Sequence, residues 1–277
     1  MMLDTKGLNL DVAQVMAIVN LTPDSFYASS RNLTSQAVAK SVERAIVEGA
    51  TIVDLGGYSS RPGADDVSLD EEWRRVKMGL EAVRSLRGEV LVSIDTFRSE
   101  VVCRAYEEFG DFIVNDISAG ELDEAMLSTV ARYNLFYVAM HMRGVPQTMQ
   151  TLNNYSEGVV RGVEEYFLMR VNELVAQGIS RDKIILDPGF GFAKSPSQNY
   201  ELLTNLDAIT KLGYPLLVGV SRKSMIYKPL GLAAEDALPG SLAFAWEALR
   251  AGAKIIRAHD VAPTRQIVDL YNHYNRA

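Results

Sequence analysis

Positions 184–192 read Ile-Ile-Leu-Asp-Pro-Gly-Phe-Gly-Phe, and this stretch sets the expectation for the whole fold. The first three residues are apolar, so they predict a short strand that is buried on both faces. Asp187 directly follows that strand, and the proline and glycines after it let the backbone turn sharply and approach a flat ligand. A carboxylate fixed at a strand end beside such a turn indicates a binding site.

The rest of the chain repeats this pattern of a short apolar strand followed by polar residues. The predicted strands cover 14–19, 51–55, 90–94, 112–114, 135–140, 184–186, 215–218 and 255–257. Helical patterns alternate with them at 34–49, 68–87, 99–109, 122–133, 157–177, 197–206, 236–251 and 262–274. Ser68 and Glu71 have the spacing of a capping box at the second helix. A glycine ends four of the helices, at positions 49, 110, 178 and 252.

Alternation of eight strands with eight helices predicts an α/β fold, a (β/α)8 TIM barrel, formed as a single domain by residues 1–277. The length of 277 residues is close to the ~250 typical of such barrels. A doubly wound open sheet is the alternative, but it usually carries a glycine-rich loop after its first strand. Positions 20–26, Asn-Leu-Thr-Pro-Asp-Ser-Phe, contain no glycine.

The composition argues against several classes of protein. A net charge of −7 does not favour general binding to nucleic acid. Cys103 is the only cysteine, so no intrachain disulfide can form and a reducing, cytoplasmic location is expected. The N-terminus carries Asp4 and Lys6 where a secretory signal has an apolar core. No apolar run approaches the ~20 residues that span a bilayer, so we expect no membrane partner.

Polar side chains stand at the end of every predicted strand. In order they are Asn20, Arg61, Asp95, Asn115, His141, Asp187, Lys223 and the pair Arg257 and His259. A helix cap or a turn explains any one of them. The carboxyl ends of barrel strands, however, meet at one mouth, where the active sites of this fold lie. The full set therefore predicts an active site.

The basic members of this set indicate an anion site. Arg257 and His259 are two residues apart, so in a strand they point the same way. The loops after the seventh and eighth strands frequently bind phosphate in this fold. Asn20 is a neutral oxygen donor that suits Mg²⁺, which often takes few protein ligands besides phosphates. An ion pair between Arg257 and a barrel carboxylate, and a solvated Arg61, remain the alternatives.

The remaining members indicate a site for a flat heterocycle. An ionised carboxylate such as Asp95 or Asp187 accepts two parallel N–H bonds from a guanidine-like ring edge. Lys223 can donate to a ring carbonyl or nitrogen, although a structural Asp187–Lys223 pair and a Schiff base at Lys223 remain open. Met140 can lie in the site or in the core, and His141 is expected behind the site. No nucleophile elbow and no zinc-ligand spacing occurs.

The chain closely resembles the dihydropteroate synthase family at these same positions. The matching segments follow the family's order over nearly the full length, at 20–26, 60–63, 93–96, 115–118, 140–142, 187–192, 221–224 and 257–260. Each segment alone is a weak signal, whereas the ordered set is specific. The resemblance implies a TIM-barrel transferase of folate biosynthesis. It would condense 6-hydroxymethyl-7,8-dihydropterin diphosphate with p-aminobenzoate to give 7,8-dihydropteroate and pyrophosphate.

The resemblance also implies a requirement for Mg²⁺, a homodimer, and inhibition by sulfonamides that compete with aminobenzoate. It implies that the pterin is bound by Asp95, Asn115, Ile117, Met140, Asp187 and Lys223. The diphosphate would be held by Asn20, Arg61, Arg257 and His259, with Asn20 as the metal ligand. The catalytic set would be Arg61, Lys223, Arg257 and His259. The aminobenzoate pocket would be lined by Phe26, Ser60, Pro62, Phe192, Ser221 and Ser224.

The chain departs from the family in its loops. The second loop usually reads Glu-Ser-Thr-Arg-Pro-Gly, and here Tyr58 replaces the Glu and Ser60 replaces the Thr. The first loop lacks two glycines that the family usually has, and Ala193 replaces a third. These changes are expected to affect loop dynamics and drug affinity more than the reaction.

The residues suggest a mechanism in which ionisation comes first. Positive charge around a departing pyrophosphate, and carboxylates around the ring that becomes a cation, would both favour carbon–oxygen cleavage before the aniline attacks. Two other functions are considered: a methyltetrahydrofolate-dependent methyltransferase, and a silent pterin-binding or regulatory partner. Neither has a reason to retain both Arg61 and Arg257.

Overall fold

The computed structural model describes residues 2–22, 34–59, 66–86, 90–144 and 152–275. In these residues eight parallel strands form one sheet: β1 Gln14–Asn20, β2 Ile52–Gly56, β3 Leu91–Asp95, β4 Ile113–Asp116, β5 Phe136–Met140, β6 Ile184–Asp187, β7 Leu217–Val218 and β8 Ile255–Ala258. Their order in the sheet is β6-β5-β4-β3-β2-β1-β8-β7. Leu186 N donates to Pro215 O at 2.9 Å across the remaining gap. The predicted TIM barrel is thereby confirmed.

Helices separate consecutive strands as predicted. Within the described residues they are α1 Ser35–Val47, α2 Leu69–Ser85, α3 Ser99–Phe109, α4 Met126–Tyr133, α5 Val159–Ala176, α6 Pro196–Thr204, α7 Asp207–Thr210, α8 Ser224–Tyr227, α9 Leu238–Arg250 and α10 Val261–Tyr274. The single-turn helices α7 and α8 have no counterpart in the sequence pattern. No helix in the described ranges has the length and apolar character needed to cross a membrane.

Local side-chain chemistry sets several helix ends. Ser68 caps α2 as predicted by accepting from the Glu71 backbone N–H, but the Glu71 carboxylate bonds to Arg74 and Arg75. The predicted reciprocal half of that capping box is therefore wrong, because two arginines one turn ahead compete for the carboxylate. A complete capping box forms instead between Ser195 and Gln198 at the start of α6.

The barrel interior is built in layers by the two-residue period of the strands. Its lower layer is a buried apolar cluster of Met16, Ile52, Ile113, Val138, Ile185, Leu217 and Ile255. Two residues further along the strands, on the same face, the sequence places Asp54, Ser93, Asn115, Met140, Asp187 and Arg257. A second, larger apolar core fills the space between the strands and the surrounding helices. The upper interior layer is therefore polar, and it rests on a dry apolar floor.

Candidate active site

Arg257 lies at the centre of the polar layer and bonds to two carboxylates. Its Nε donates to Asp54 Oδ2 at 2.6 Å, and its Nη2 donates to Asp95 Oδ2 at 2.8 Å. Asp54 also accepts from Ser93 Oγ at 2.6 Å and from Asn115 Nδ2 at 3.0 Å. The network joins β2, β3, β4 and β8, so it brings together three predicted site residues from distant parts of the chain. The ion pair considered for Arg257 is thus present, with both Asp54 and Asp95.

Asp54 is a member of this network that the sequence analysis did not select. It is fully buried, in the middle of β2 rather than at its end. A buried charge needs a partner, because burial of an unpaired carboxylate costs several kcal/mol. The signal in the sequence is a lone aspartate inside an otherwise apolar strand.

The pKa of Asp95 reflects two opposing influences. Burial raises it to about 7, the positive charge of Arg257 opposes the rise, and the nearby carboxylates Asp54, Glu72 and Asp116 add to it. Arg257 therefore helps to keep Asp95 ionised near neutral pH. Asn115 and Asp116 are adjacent but point to opposite sides of β4, and Asp116 accepts from Ser118 Oγ and Tyr137 Oη instead.

Asp187 is the last residue of β6, one position beyond the predicted strand, and its side chain is nearly inaccessible to solvent. Its Oδ1 accepts from the Gly189 backbone N–H at 2.8 Å, which fixes the carboxylate above the turn. Burial raises the pKa of Asp187, and Lys223 opposes this rise. Lys223 donates to the Phe190 carbonyl, and its Nζ lies 4.9 Å from the ring centroid of Phe192. Burial lowers the pKa of Lys223 to about 8, with Asp187 acting in the opposite direction.

The turn after Asp187 depends on glycine at position 189. Gly189 has φ +67°, and a Cβ there would lie 2.1 Å from the His141 carbonyl oxygen. We expect Gly189→Ala to lower the free energy of unfolding by about 3 kcal/mol or more, the sum of left-handed strain and a backbone clash. Urea denaturation measures this change.

Gly213→Ala is the matched control for Gly189→Ala. Gly213 has φ +81°, but no atom in the described part of the chain lies within 4 Å of a Cβ built there. This variant should lose only the strain of the left-handed backbone, about 1 kcal/mol. Equal losses in the two variants would contradict the tight approach of His141 to the turn.

The ends of β7 and β8 are tied together by side chains. The Ser221 hydroxyl accepts from the His259 backbone N–H at 3.1 Å, and it lies 3.2 Å from His259 Nδ1. Arg222 Nε donates to Asp260 Oδ2 at 2.9 Å, so this arginine faces Asp260 while the next residue, Lys223, faces the turn after β6. Ser224 begins α8. These contacts place four predicted site residues with Arg257 on the rim of the barrel, the end at which the carboxyl ends of its strands meet. The four are His259, Ser221, Lys223 and Ser224.

An apolar patch borders the polar layer. Ile117, Met140, Met142 and Ala193 are buried together, and Phe97, Leu122 and the half-buried Phe192 pack against them. Ile117 and Met140 were both predicted to contact a ligand, and they lie in this patch at the ends of β4 and β5. Its position beside Asp187 and Asn115 would suit one face of an aromatic ring.

A buried carboxylate behind the second and third strand ends is also absent from the sequence analysis. Glu72 accepts from Thr96 Oγ1 at 2.6 Å and from Arg98 Nη1 at 2.8 Å. The Arg98 guanidinium lies 5.4 Å from the ring centroid of Tyr58 and 5.3 Å from that of Phe97. These contacts hold the loop that follows Asp95. A single glutamate within a helical pattern gives no sequence signal for this role.

Four predicted site residues, Phe26, Ser60, Arg61 and Pro62, lie outside the described residues. Asn20, the predicted metal ligand, is the last residue of β1. Its Oδ1 lies 3.9 Å from the position a Cβ would take on Gly56, which has no side chain to occupy that space. The same point lies 3.8 Å from Asp95 Oδ2, so an amide oxygen and a carboxylate oxygen face it together. Oxygen donors of this kind suit Mg²⁺, which keeps several waters and binds substrate phosphates. In the described part of the chain, no three His, Cys, Asp or Glu side chains form a metal-binding group.

Comparison with known proteins agrees with this geometry. Residues 16–259 match the family described as pterin binding enzyme. The chain is 42% identical over 268 residues to the dihydropteroate synthase of Haemophilus influenzae, covering 97% of this chain and 96% of that protein.

Solved structures give the same result. A Yersinia pestis dihydropteroate synthase in a sulfonamide drug complex superimposes with a TM-score of 0.90 at 36% identity, over 100% of both chains. The Xanthomonas albilineans enzyme with 4-aminobenzoic acid gives 0.89 at 34% identity, over 98% of this chain and 96% of that one. The same enzyme in complex with 7,8-dihydropteroate gives 0.85 at 32%, over the same shares.

Proposed function

The chain belongs to the dihydropteroate synthase family of pterin-binding enzymes, and on that premise we propose that it joins 6-hydroxymethyl-7,8-dihydropterin diphosphate to p-aminobenzoate. The products are 7,8-dihydropteroate and pyrophosphate, as in a transferase of folate biosynthesis. One observation carries the proposal: the carboxylates of Asp95 and Asp187 and the cations of Arg257 and Lys223 share one rim, with Arg257 bonded directly to Asp95. Such a rim fits a pterin ring that becomes positively charged beside a diphosphate group that leaves as an anion.

The acidic part of the rim would bind the pterin ring. Asp187 offers its second carboxylate oxygen to the guanidine-like edge of the ring, because Oδ1 already accepts from Gly189. Lys223 donates to a ring acceptor, Asn115 contributes a polar contact, and Asp95 accepts a ring N–H. Ile117 and Met140 pack on the ring.

The basic part of the rim would hold the diphosphate. The two bonds of Arg257 described above use two of the five N–H donors of a guanidinium, so the same group can serve Asp95 and a phosphate oxygen. His259, Asn20 and Arg61 complete this part of the site. When bound, Mg²⁺ supplies Lewis-acid stabilisation of the leaving diphosphate, with Asn20 as its protein ligand.

The reaction would begin with ionisation. The bond between the pterin methylene carbon and the diphosphate oxygen breaks, and its electron pair leaves with pyrophosphate. Arg257, Arg61 and His259 stabilise the negative charge that grows there, while Asp95 and Asp187 stabilise the cation that spreads into the ring. The aniline nitrogen then forms the new carbon–nitrogen bond and becomes positively charged. In that state it is a strong acid and gives its proton to water, so no strong base is needed, and Arg61, Lys223, Arg257 and His259 suffice as the catalytic set.

The aminobenzoate would occupy the outer part of the mouth. The Xanthomonas albilineans relative binds 4-aminobenzoic acid and the Yersinia pestis relative binds a sulfonamide drug, which supports a pocket for both here. Phe192 and Ser224 lie at the mouth of the barrel, Ser221 lies beside His259, and Phe26, Ser60 and Pro62 would complete the lining. The whole chain would act as one domain in a cytoplasmic homodimer.

A direct assay tests this function. The protein is incubated with the pterin diphosphate, p-aminobenzoate and Mg²⁺, and pyrophosphate release is measured. Release that requires both substrates and stops when the metal is chelated is expected. Pterin binding without pyrophosphate release would favour a silent binding protein. Methyl transfer from a methylated folate to cobalamin would favour the methyltransferase.

The pKa values predict how pterin binding depends on pH. Asp95 must lose its proton to accept a ring N–H, so affinity should rise as pH passes about 7, and Asp187 adds to this rise. Lys223 must keep its proton to donate, so affinity should fall above about pH 8. Calorimetry with a 7,8-dihydropterin that lacks diphosphate should therefore give a bell-shaped profile.

Lys223→Arg provides the control for the alkaline limb. A guanidinium stays charged at every pH used, so this variant should keep the rise near pH 7 and lose the fall above pH 8. A wild-type profile that is flat from pH 6 to 9 would contradict the assignment of Asp95 and Lys223 to the pterin.

A further inference from the structure

Lys194 is a buried lysine behind the candidate site, with only 3% of its surface exposed. Its Nζ donates to Gly189 O at 2.9 Å and to Phe192 O at 3.0 Å, and it lies 2.9 Å from His141 Nδ1. An ammonium has three N–H donors and no acceptor. Each donor thus has one partner, and the count closes if His141 is neutral and accepts through Nδ1. A buried lysine with every donor matched is a built feature rather than an accident of packing.

Burial and the neighbouring charges shift the pKa values of both Lys194 and His141. Burial lowers the pKa of both groups, and Arg143 lowers both further. Asp187 raises the pKa of Lys194, against Lys223, which lowers it. In either protonation state the two carbonyls take their N–H from Lys194, and the third contact shares one proton between Lys194 Nζ and His141 Nδ1.

The three partners of Lys194 also hold two candidate ligand-binding side chains, those of Asp187 and Phe192. Gly189 accepts from Lys194 through its carbonyl and donates through its N–H to Asp187. The backbone of His141 donates to the Asp187 carbonyl at 2.9 Å. Phe192, whose carbonyl is the third partner, carries the ring that faces Lys223. Lys194 touches neither the mouth nor a reacting atom, yet it contacts the backbone on both sides of the turn.

We propose that Lys194 is a positioning residue for the pterin: it clamps the turn at residues 189–192 so that the Asp187 carboxylate and the Phe192 ring stay in their binding orientations. This role rests on the function proposed above. Without Lys194, the Phe192 carbonyl and His141 Nδ1 would lose this buried partner, and the Gly189 carbonyl would keep only the Phe192 N–H at 3.1 Å, so the turn would relax towards other donors. Small displacements of positioned groups cost affinity well beyond the contact that is removed.

The test compares Lys194→Met with Thr5→Val. Thr5 is equally buried, and its hydroxyl donates to Asp111 Oδ2 at 2.6 Å near the start of β4, at the opposite end of the barrel. Both variants lose a buried polar contact, so both should be less stable in urea. Only Lys194→Met should raise the Kd of a 7,8-dihydropterin, by about tenfold or more. It should also speed amide exchange at Gly189 and Gly191, and raise the KM for the pterin substrate more than it lowers kcat.

Lys194→Gln serves if Lys194→Met does not fold. Its amide supplies two donors, so it should retain part of the clamp and give an intermediate Kd. His141→Phe removes one acceptor and should combine non-additively with Lys194→Met, because both variants break the same contact.

Two outcomes would overturn the positioning role. A folded Lys194→Met or Lys194→Gln protein with wild-type Kd and wild-type exchange at residues 189–192 would make Lys194 a purely structural lysine, even if its stability falls. A wild-type protein that neither binds a pterin nor releases pyrophosphate would refute the proposed function together with this role. If the wild-type protein is active and the Lys194 variant keeps the wild-type Kd and exchange rates, only this role is refuted.

Discussion

Replacing Arg257 with alanine is expected to lower turnover by about 100- to 1000-fold. The guanidinium lies between the acidic and basic parts of the rim, where its bonds to Asp54 and Asp95 hold it in place. Because it is fixed before the substrate arrives, it needs no reorganisation when negative charge develops on the leaving diphosphate. Steady-state pyrophosphate release at saturating substrates measures the loss. A turnover within fivefold of wild type would remove Arg257 from the mechanism.

The same replacement also affects folding, and the two effects must be separated. Removing one partner of a buried ion pair leaves an uncompensated charge, which costs about 3–5 kcal/mol. The pKa of Asp95 should rise further, since Arg257 now opposes that rise. Weaker pterin binding near neutral pH is then expected in addition to slower chemistry.

A second substitution separates stability from catalysis. In Arg257→Ala combined with Asp54→Asn, one of the two carboxylates that lost their cation becomes neutral, and its amide oxygen can keep the contact with Ser93 or the contact with Asn115. This double variant should regain part of the lost stability but none of the lost turnover. Arg265→Ala is the control for loss of an ion pair alone. Its partner Asp269 is half-exposed on α10, so about 0–1 kcal/mol and no turnover should be lost.

The sequence predicted the barrel because its strands and their ends are local signals. Short apolar runs mark buried strands without reference to any partner. Asp95 and Asp187 turned out to be the last residues of β3 and β6 rather than the first residues after them, which fixes them more firmly than a loop would. The two-residue period then explains why Asn115 and Arg257 enter the same interior layer.

Partner choice was not predictable, because it depends on contacts between residues that are far apart in the chain. Arg257 and Asp54 are separated by 203 positions, and no local pattern links them. The same holds for Lys194, whose position after an ordinary glycine-rich turn gives no sign of burial. Competition has a similar effect at short range: Glu71 has the spacing of a capping box, but Arg74 and Arg75 bind its carboxylate.

Asp187→Asn should weaken pterin binding by about 100-fold or more, while the folded turn is retained. Asparagine keeps an oxygen for the Gly189 N–H, so the local structure has the acceptor it needs. Its amide N–H also replaces the carboxylate oxygen that accepts from the ring. Two donors then face each other, and a buried polar group is left unpaired. Calorimetric titration with a 7,8-dihydropterin measures the change.

The stability of Asp187→Asn and a matched control variant identify the cause of the lost pterin affinity. Burial raises the pKa of Asp187, so its ionised form is less favourable in the folded protein than in the unfolded chain. Its contribution to stability is full below its unfolded pKa and is lost as pH rises through the folded one. Asp187→Asn should therefore be as stable as wild type, or more so, at pH 8. Asp182→Asn makes the same change at an exposed position before β6 and should leave pterin affinity unaltered. Wild-type affinity in Asp187→Asn would mean that the carboxylate serves the turn and not the ligand.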